Sequence, residues 1–150
     1  MKKTLTLFSL LMICLLTIAQ NPCPQVIPAL QQWKGGKGIL ILPTQGSIVI
    51  NPSNETALKK TASILVEDLK ELMGWEYTIT TGKAKKNDIY LSLSQPDEQL
   101  GKEGYTLSIM NKVSIEAPTT QGVFWGSRTL LQMLHHQKAK LAKGTTRDWP

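Results

Sequence analysis

Apolar positions along the chain form two long helical stripes and several short alternating runs. Leu58, Ala62, Leu65, Val66, Leu69, Leu72 and Met73 recur at three- and four-residue spacing, as one face of a helix does. Lys59, Lys60, Glu67, Asp68, Lys70 and Glu71 lie mostly off that stripe. Ser53 or Asn54 is the expected N-cap, Glu55 suits the positive end of the helix dipole, and Gly74 is the expected C-cap. The second stripe lies within 117–134, APTTQGVFWGSRTLLQML. Ala117-Pro118 stops a strand, and Thr119 or Thr120 supplies a capping hydroxyl. Val123, Phe124, Ser127, Leu130, Leu131 and Leu134 then make one broad face. Gly122 and Gly126 interrupt it, each at a cost of about 1 kcal/mol relative to alanine. Such glycines predict a close neighbour: the domain's own sheet at Gly122, and either the sheet or another domain at Gly126.

The short runs predict strands. Ile39 to Leu42 is apolar and stopped by Pro43, and Ser47 to Ile50 ends at Asn51-Pro52. Glu76 to Thr80 is a third run. Asp88 to Ser94 alternates, with Ile89, Leu91 and Leu93 on one side and Tyr90, Ser92 and Ser94 on the other. Tyr105 to Met110 and Val113 to Glu116 form a hairpin around Asn111-Lys112. The order ββαββββα predicts an α+β fold, a mixed β-sheet with two helices packed on one face. Residues 20–37 are expected to be a flexible lead, because Pro22, Pro24 and Pro28 disfavour regular structure. Gly35-Gly36-Lys37-Gly38 lacks the preceding strand, the following helix and the Ser or Thr that a phosphate loop requires.

A chain of 150 residues is enough for one domain. Residues 1–19 have the pattern of a secretory signal: basic Lys2 and Lys3, an apolar run from Leu5 to Leu16, and small residues before a cut ahead of Gln20. The run is too short for an ordinary membrane span. Loss of Lys2 and Lys3 lowers the formal charge from +6 to +4. The remaining lysines are scattered without interleaved aromatics, which favours solvated surface over nucleic-acid binding. Cys14 leaves with the signal, so Cys23 has no internal disulfide partner.

The sequence holds no Gly-x-Ser-x-Gly, His-Glu-x-x-His or Cys-x-x-Cys motif. Glu67, Asp68 and Glu71 fit a solvated helix face. His135 and His136 are adjacent, whereas a metal pair on a helix needs ligands three or four apart. No catalytic, cofactor-binding or metal-ligating residue is assigned, and no cofactor is expected.

GYTLSIMNKVSIEAPTTQGVFWGSRTLLQML, followed by TTRDWP, resembles the end of the N-terminal domain of bacterial β-N-acetylhexosaminidases of glycoside hydrolase family 20. Ala117, Thr119 or Thr120, Gly122, Phe124, Gly126, Thr129, Leu130 and Gln132 match the family's helix pattern, and Asp148 and Pro150 match its connector. The resemblance runs from Gly38 to Pro150. It implies a zincin-like accessory domain over 38–143 and a connector over 144–150 leading to a catalytic (β/α)₈ barrel outside this chain. It further implies a parent enzyme that removes terminal β-linked N-acetylglucosamine or N-acetylgalactosamine from glycans. In that mechanism the substrate's 2-acetamido oxygen attacks the anomeric carbon, so no protein nucleophile is needed. An Asp-Glu pair orients the acetamido group and protonates the leaving oxygen, and that pair lies in the barrel. No Asp-Glu dipeptide is expected in the accessory domain; Glu67-Asp68 has the reverse order. The implied partners are the barrel and the glycan, and the implied location is periplasmic, outer-membrane-associated or secreted. The chain alone is expected to be inactive. Two alternatives stand beside this: an accessory domain of another glycoside hydrolase such as an α-glucuronidase, or a freestanding glycan-binding module. The latter would use exposed aromatics, and Trp33, Trp75, Trp125 and Trp149 are scattered along the chain.

Overall fold

The computed structural model describes residues 20–149, so the signal assigned to 1–19 lies outside the described residues. Strands β1 (Gln32–Ile41) and β2 (Gln45–Ile50) precede helix α1 (Glu55–Met73). Strands β3 (Glu76–Thr81), β4 (Ile89–Leu93), β5 (Tyr105–Ile109) and β6 (Val113–Ala117) follow. Helix α2 (Thr120–His136) and strand β7 (Lys140–Asp148) close the described chain. The seven strands form one sheet in the order β1-β7-β5-β6-β4-β2-β3. Strand β2 pairs in parallel with β3 and β4, and β4 with β6. The other half, β6-β5-β7-β1, is antiparallel. The sheet is therefore mixed, and both helices lie on one face in mutual contact.

The core fills the space between helices and sheet. Leu58, Leu65 and Leu69 of α1, and Val123, Leu130 and Leu134 of α2, are fully buried. They meet Ile48, Ile50, Ile89, Leu91, Leu107 and Ile115 from the sheet, which are equally buried. Alternation in β5 and β6 turns Thr106, Ser108, Ser114 and Glu116 toward the uncovered face. One apolar and one polar sheet face explain why the helices occupy a single side.

The caps settle several alternatives. Gly74 is left-handed (φ 68°), with its N–H on Lys70 O at 3.0 Å and the Trp75 N–H on Leu69 O at 3.1 Å. Asn54 stands at the N-cap of α1 but does not cap it. Its Oδ1 accepts from the Leu93 N–H at 2.9 Å and ties the helix start to the end of β4. Thr119, not Thr120, caps α2, accepting from the Gly122 N–H at 3.0 Å. Leu72 departs from the expected stripe: it lies in the last turn of α1 and is 54% exposed, while Thr61 is buried. Buried Trp75, just past the helix, supplies the apolar cover at that end.

Both helix glycines serve the domain's own sheet. A Cβ on Gly122 would meet the Gly104 carbonyl and lie 2.7 Å from Ala117 Cβ. A Cβ on Gly126 would lie 2.5 Å from Ile115 Cγ2 and 3.0 Å from the Tyr105 ring. Gly126 therefore does not face a second domain.

The lead is more ordered than its composition suggests. Strand β1 starts at Gln32, seven residues before the expected Ile39, and takes in Gly35, Gly36 and Lys37. Gln32 to Gly35 pair with Arg147 to Gly144, and pairing resumes from Ile39 after a register shift that includes Gly38 at φ 76°. Strand β7 is the added element that makes the order ββαββββαβ, and the expected boundary at 143/144 falls inside it. The polar start of β1 is ordered by its ladder with β7, and β7 by its ladders with β1 and β5. The indole of Trp33 lies where a Cβ on Gly144 would stand, so the glycine makes room for the ring.

Candidate functional site

Helix α2 turns Trp125, Arg128 and Gln132 away from the sheet, at the three- and four-residue steps that share a helix face. With Ile27 and Pro28 of the lead and Trp149 after β7, they line a cleft of about 280 Å³. Glu103, Tyr105, Thr129 and Asp148 form its remaining wall. Ile27 is 84% exposed and Trp125 43% exposed, so the apolar rim faces solvent.

Three elements are locked together beneath that rim. Asp148, nearly buried, accepts from the Tyr105 hydroxyl at 2.9 Å and from the Gln31 N–H at 2.8 Å. The Tyr105 proton is thereby committed, so the Thr129 hydroxyl donates to the Tyr105 oxygen at 2.6 Å. Burial raises the Tyr105 pKa well above its ordinary value; the Thr129 hydrogen bond pulls it down, and the Asp148 charge pushes it up again. The phenol is therefore neutral and serves as a structural donor. Gln132 holds the lead in both directions: its Nε2 donates to Ile27 O at 2.8 Å, and its Oε1 accepts from the Ile27 N–H at 2.9 Å. Arg128 lies 4.7 Å from the centre of the Phe124 ring and 2.5 Å from Asp68 Oδ2, joining the two helices.

The tryptophans do not form one platform. Trp75 is in the core, stacked on Tyr77 with centroids 6.0 Å apart, and Trp33 is partly buried with its Nε1 donating to Asn21 O at 3.0 Å. Trp125 and Trp149 come together at the cleft. Among the acids of α1, Glu67 and Glu71 are exposed as a solvated face requires, whereas Asp68 is taken up by Arg128. His135 and His136 are exposed at the end of α2 with ring centroids 5.9 Å apart. Among the described residues no group of three His, Cys, Asp or Glu side chains is placed to hold a metal ion.

The expectation of no Asp-Glu dipeptide is incorrect, because Asp97-Glu98 is one. It lies between β4 and β5, and its aspartate is committed to the loop. Asp97 Oδ1 accepts from the Gln99 N–H at 3.0 Å and the Leu100 N–H at 3.3 Å, and Oδ2 pairs with Arg147. Glu98 is exposed, and neither side chain lines the cleft. Tyr105 and Arg128 of the cleft, and Gln31, which donates to Asp148 from the lead, carry no periodic signal of a site. Thr129, Gln132 and Asp148 stand out only as letters of the family pattern.

Residues 23–149 match the model of glycosyl hydrolase family 20, domain 2. The chain is 31% identical over 129 residues to lacto-N-biosidase of Bifidobacterium bifidum, a match covering 85% of this chain and 11% of that protein. It superposes on Streptomyces plicatus β-hexosaminidase with TM-score 0.70 at 25% identity, covering 89% of this chain and 28% of the other. The family-20 β-N-acetylhexosaminidase of Streptomyces coelicolor gives TM-score 0.71 at 26% identity, covering 87% and 27%. The chain thus spans about a tenth of the curated relative and little more than a quarter of the solved enzymes. It belongs to glycosyl hydrolase family 20, as domain 2 of that family's enzymes.

Proposed function

We propose that this chain is the non-catalytic domain of an exported β-N-acetylhexosaminidase, and that the α2 cleft seats the catalytic barrel. The observation that carries this is the apolar rim of exposed Ile27 and Trp125 with half-buried Trp149, placed where β7 leaves the sheet. At about 280 Å³ the cleft is slightly below the roughly 300–1,000 Å³ usual for small-molecule pockets, and its aromatic rim suits protein side chains. The buried Asp148 network fixes the exit strand to the core, so a barrel following it would be held at one angle. The full enzyme would remove terminal β-linked N-acetylglucosamine or N-acetylgalactosamine with the substrate's acetamido group as nucleophile. This domain supplies no group to that step, and no catalytic role is proposed for Asp97-Glu98.

The test replaces the corresponding domain of the S. coelicolor enzyme with this chain. The chimera should hydrolyse a chromogenic N-acetylglucosaminide, and Trp125→Asp should lower its thermal midpoint more than that of the isolated chain. The isolated chain should show no turnover. Activity that stays with the isolated chain through repurification overturns the non-catalytic assignment. Equal loss in both settings overturns the docking assignment. Export is checked by mass spectrometry of envelope fractions, where the bulk of the protein should begin at Gln20.

A further inference from the structure

The opposite end of the sheet carries a surface that the cleft does not use. Ile39, Ile41 and Met110 are 50%, 56% and 54% exposed there. They line a shallow concavity with Lys86 and Lys143, and no carboxylate lines it. Alternation along β1 sends Leu40 and Leu42 into the core and leaves Ile39 and Ile41 on the outer face. Lys140 is the register partner of Ile41, so its exposed ammonium stands on that same face. The nearest acid in sequence to Lys86, Asp88, is occupied by the Lys85 N–H at 2.6 Å.

We propose that this end of the sheet docks on an anionic lipid surface, with Ile39, Ile41 and Met110 entering the headgroup boundary and Lys86, Lys140 and Lys143 meeting lipid phosphates. Exposed aliphatic tips inside a ring of lysines match both terms of interfacial binding, apolar burial and attraction to anionic lipid. A soluble polyanion would engage the lysines and gain nothing from the aliphatics. A second copy of the same patch would bring like charges face to face. The acids Glu103 and Asp148 line the cleft at the opposite end instead, and Asp97 lies near it, paired with Arg147. The lead also reaches the domain beside the patch: Asn21 Nδ2 donates to Gly38 O at 2.6 Å and Lys143 O at 3.0 Å. The surface stands independently of the cleft assignment and rests on the export assignment only for where such lipid would be met.

The test uses the chain beginning at Gln20, because an apolar leader would itself bind vesicles; the whole sheet and both helices lie within 20–149. Cooperative urea unfolding is verified for each variant first. Co-sedimentation is measured with vesicles of phosphatidylglycerol and phosphatidylcholine in roughly equal parts, and with phosphatidylcholine alone. Binding to the anionic vesicles should exceed binding to neutral ones about tenfold or more, and should weaken as salt rises. Lys86→Glu and Lys143→Glu should each lower partitioning about fivefold. The pair Ile39→Ser and Ile41→Ser should also lower it, while Lys59→Glu on α1 should leave it unchanged. No preference for anionic vesicles overturns the proposal. Sensitivity to the lysine variants without sensitivity to the isoleucine pair identifies a polyanion site and overturns it as well. Activity of the chimera is unaffected by any of these outcomes, so failure here leaves the cleft assignment standing.

Discussion

The two ends of the sheet are built differently. At the cleft end the start of β5, the end of β7 and the lead are pinned by Asp148, which accepts from both Tyr105 and Gln31. At the other end the end of β1 and the start of β7 meet in a plain ladder, and the side chains above it are exposed isoleucines and lysines. The first end is held by buried polar groups that admit one arrangement. The second has no buried polar network: its one clasp, Asn21 Nδ2 on Gly38 O and Lys143 O, holds backbone carbonyls and leaves Ile39, Ile41 and Lys140 free to meet an external surface. A domain that must hold a neighbour at a fixed angle needs the first construction; a patch that only adheres does well with the second.

The two ends share one core, so the strongest test acts on both. Leu130 is fully buried in the middle of α2, between the helix and the sheet. Leu130→Ala should cost about 2–5 kcal/mol, the range for a cavity in a packed core. Urea midpoints of parent and variant measure it. An unchanged midpoint would mean that α2 does not organise the two ends.

A smaller effect separates them. Asp148→Ala leaves the buried Tyr105 hydroxyl without its acceptor and should cost about 1–3 kcal/mol. Asp148→Asn keeps an acceptor oxygen and should lose less. Tyr105 adds a pH signature with a definite sign. Its folded pKa lies above the unfolded value near 10, so its contribution is fully present below pH 10 and is lost as pH climbs from there toward the folded value. Tyr77 is raised in the same direction, by burial first and by the Asp88 charge second. Between pH 10 and 11 the parent should therefore lose stability more steeply than Tyr105→Phe, by up to about 1 kcal/mol per pH unit. Equal slopes would show that the Tyr105 phenol ionises as readily in the folded chain as in the unfolded one.

These features were unequally legible in the sequence. Helical stripes gave α1 and α2 because burial of one face imposes its period on the chain, and Gly74 announced the end of α1 through its left-handed conformation. Strands β4, β5 and β6 showed because one face of each is apolar. Strand β7 and the first half of β1 did not show, since KLAKGTTRD and QWKGGK carry little apolar alternation; β1 is ordered by its ladder with β7, and β7 by its ladders with β1 and β5. Tertiary pairing of this kind leaves no local period to find. The cleft was hidden for a similar reason. Asp148, Gln31 and Tyr105 lie far apart in the chain and converge only when β7 pairs with both β1 and β5. Leu72 shows the converse: it keeps the helical period yet stands in solvent because the helix ends beside it.

The smallest expected effect on stability sharpens the contrast most. Ile41 is 56% exposed, so Ile41→Ser removes little buried surface, and Lys86→Glu changes a charge in open solvent. Exposed substitutions of this kind usually stay within about 0.5 kcal/mol. The outer side of β1 is a sheet edge, and a polar residue there also lowers the chance of edge-to-edge association. Urea midpoints of both variants should therefore match the parent, while Ile41→Ser should improve solubility at high concentration. If Ile41→Ser instead costs 1 kcal/mol or more, on the order of a buried methyl or ethyl group, its side chain is packed in solution. The basic end would then be a second structural region, and the division between a locked end and an adhesive end would fail.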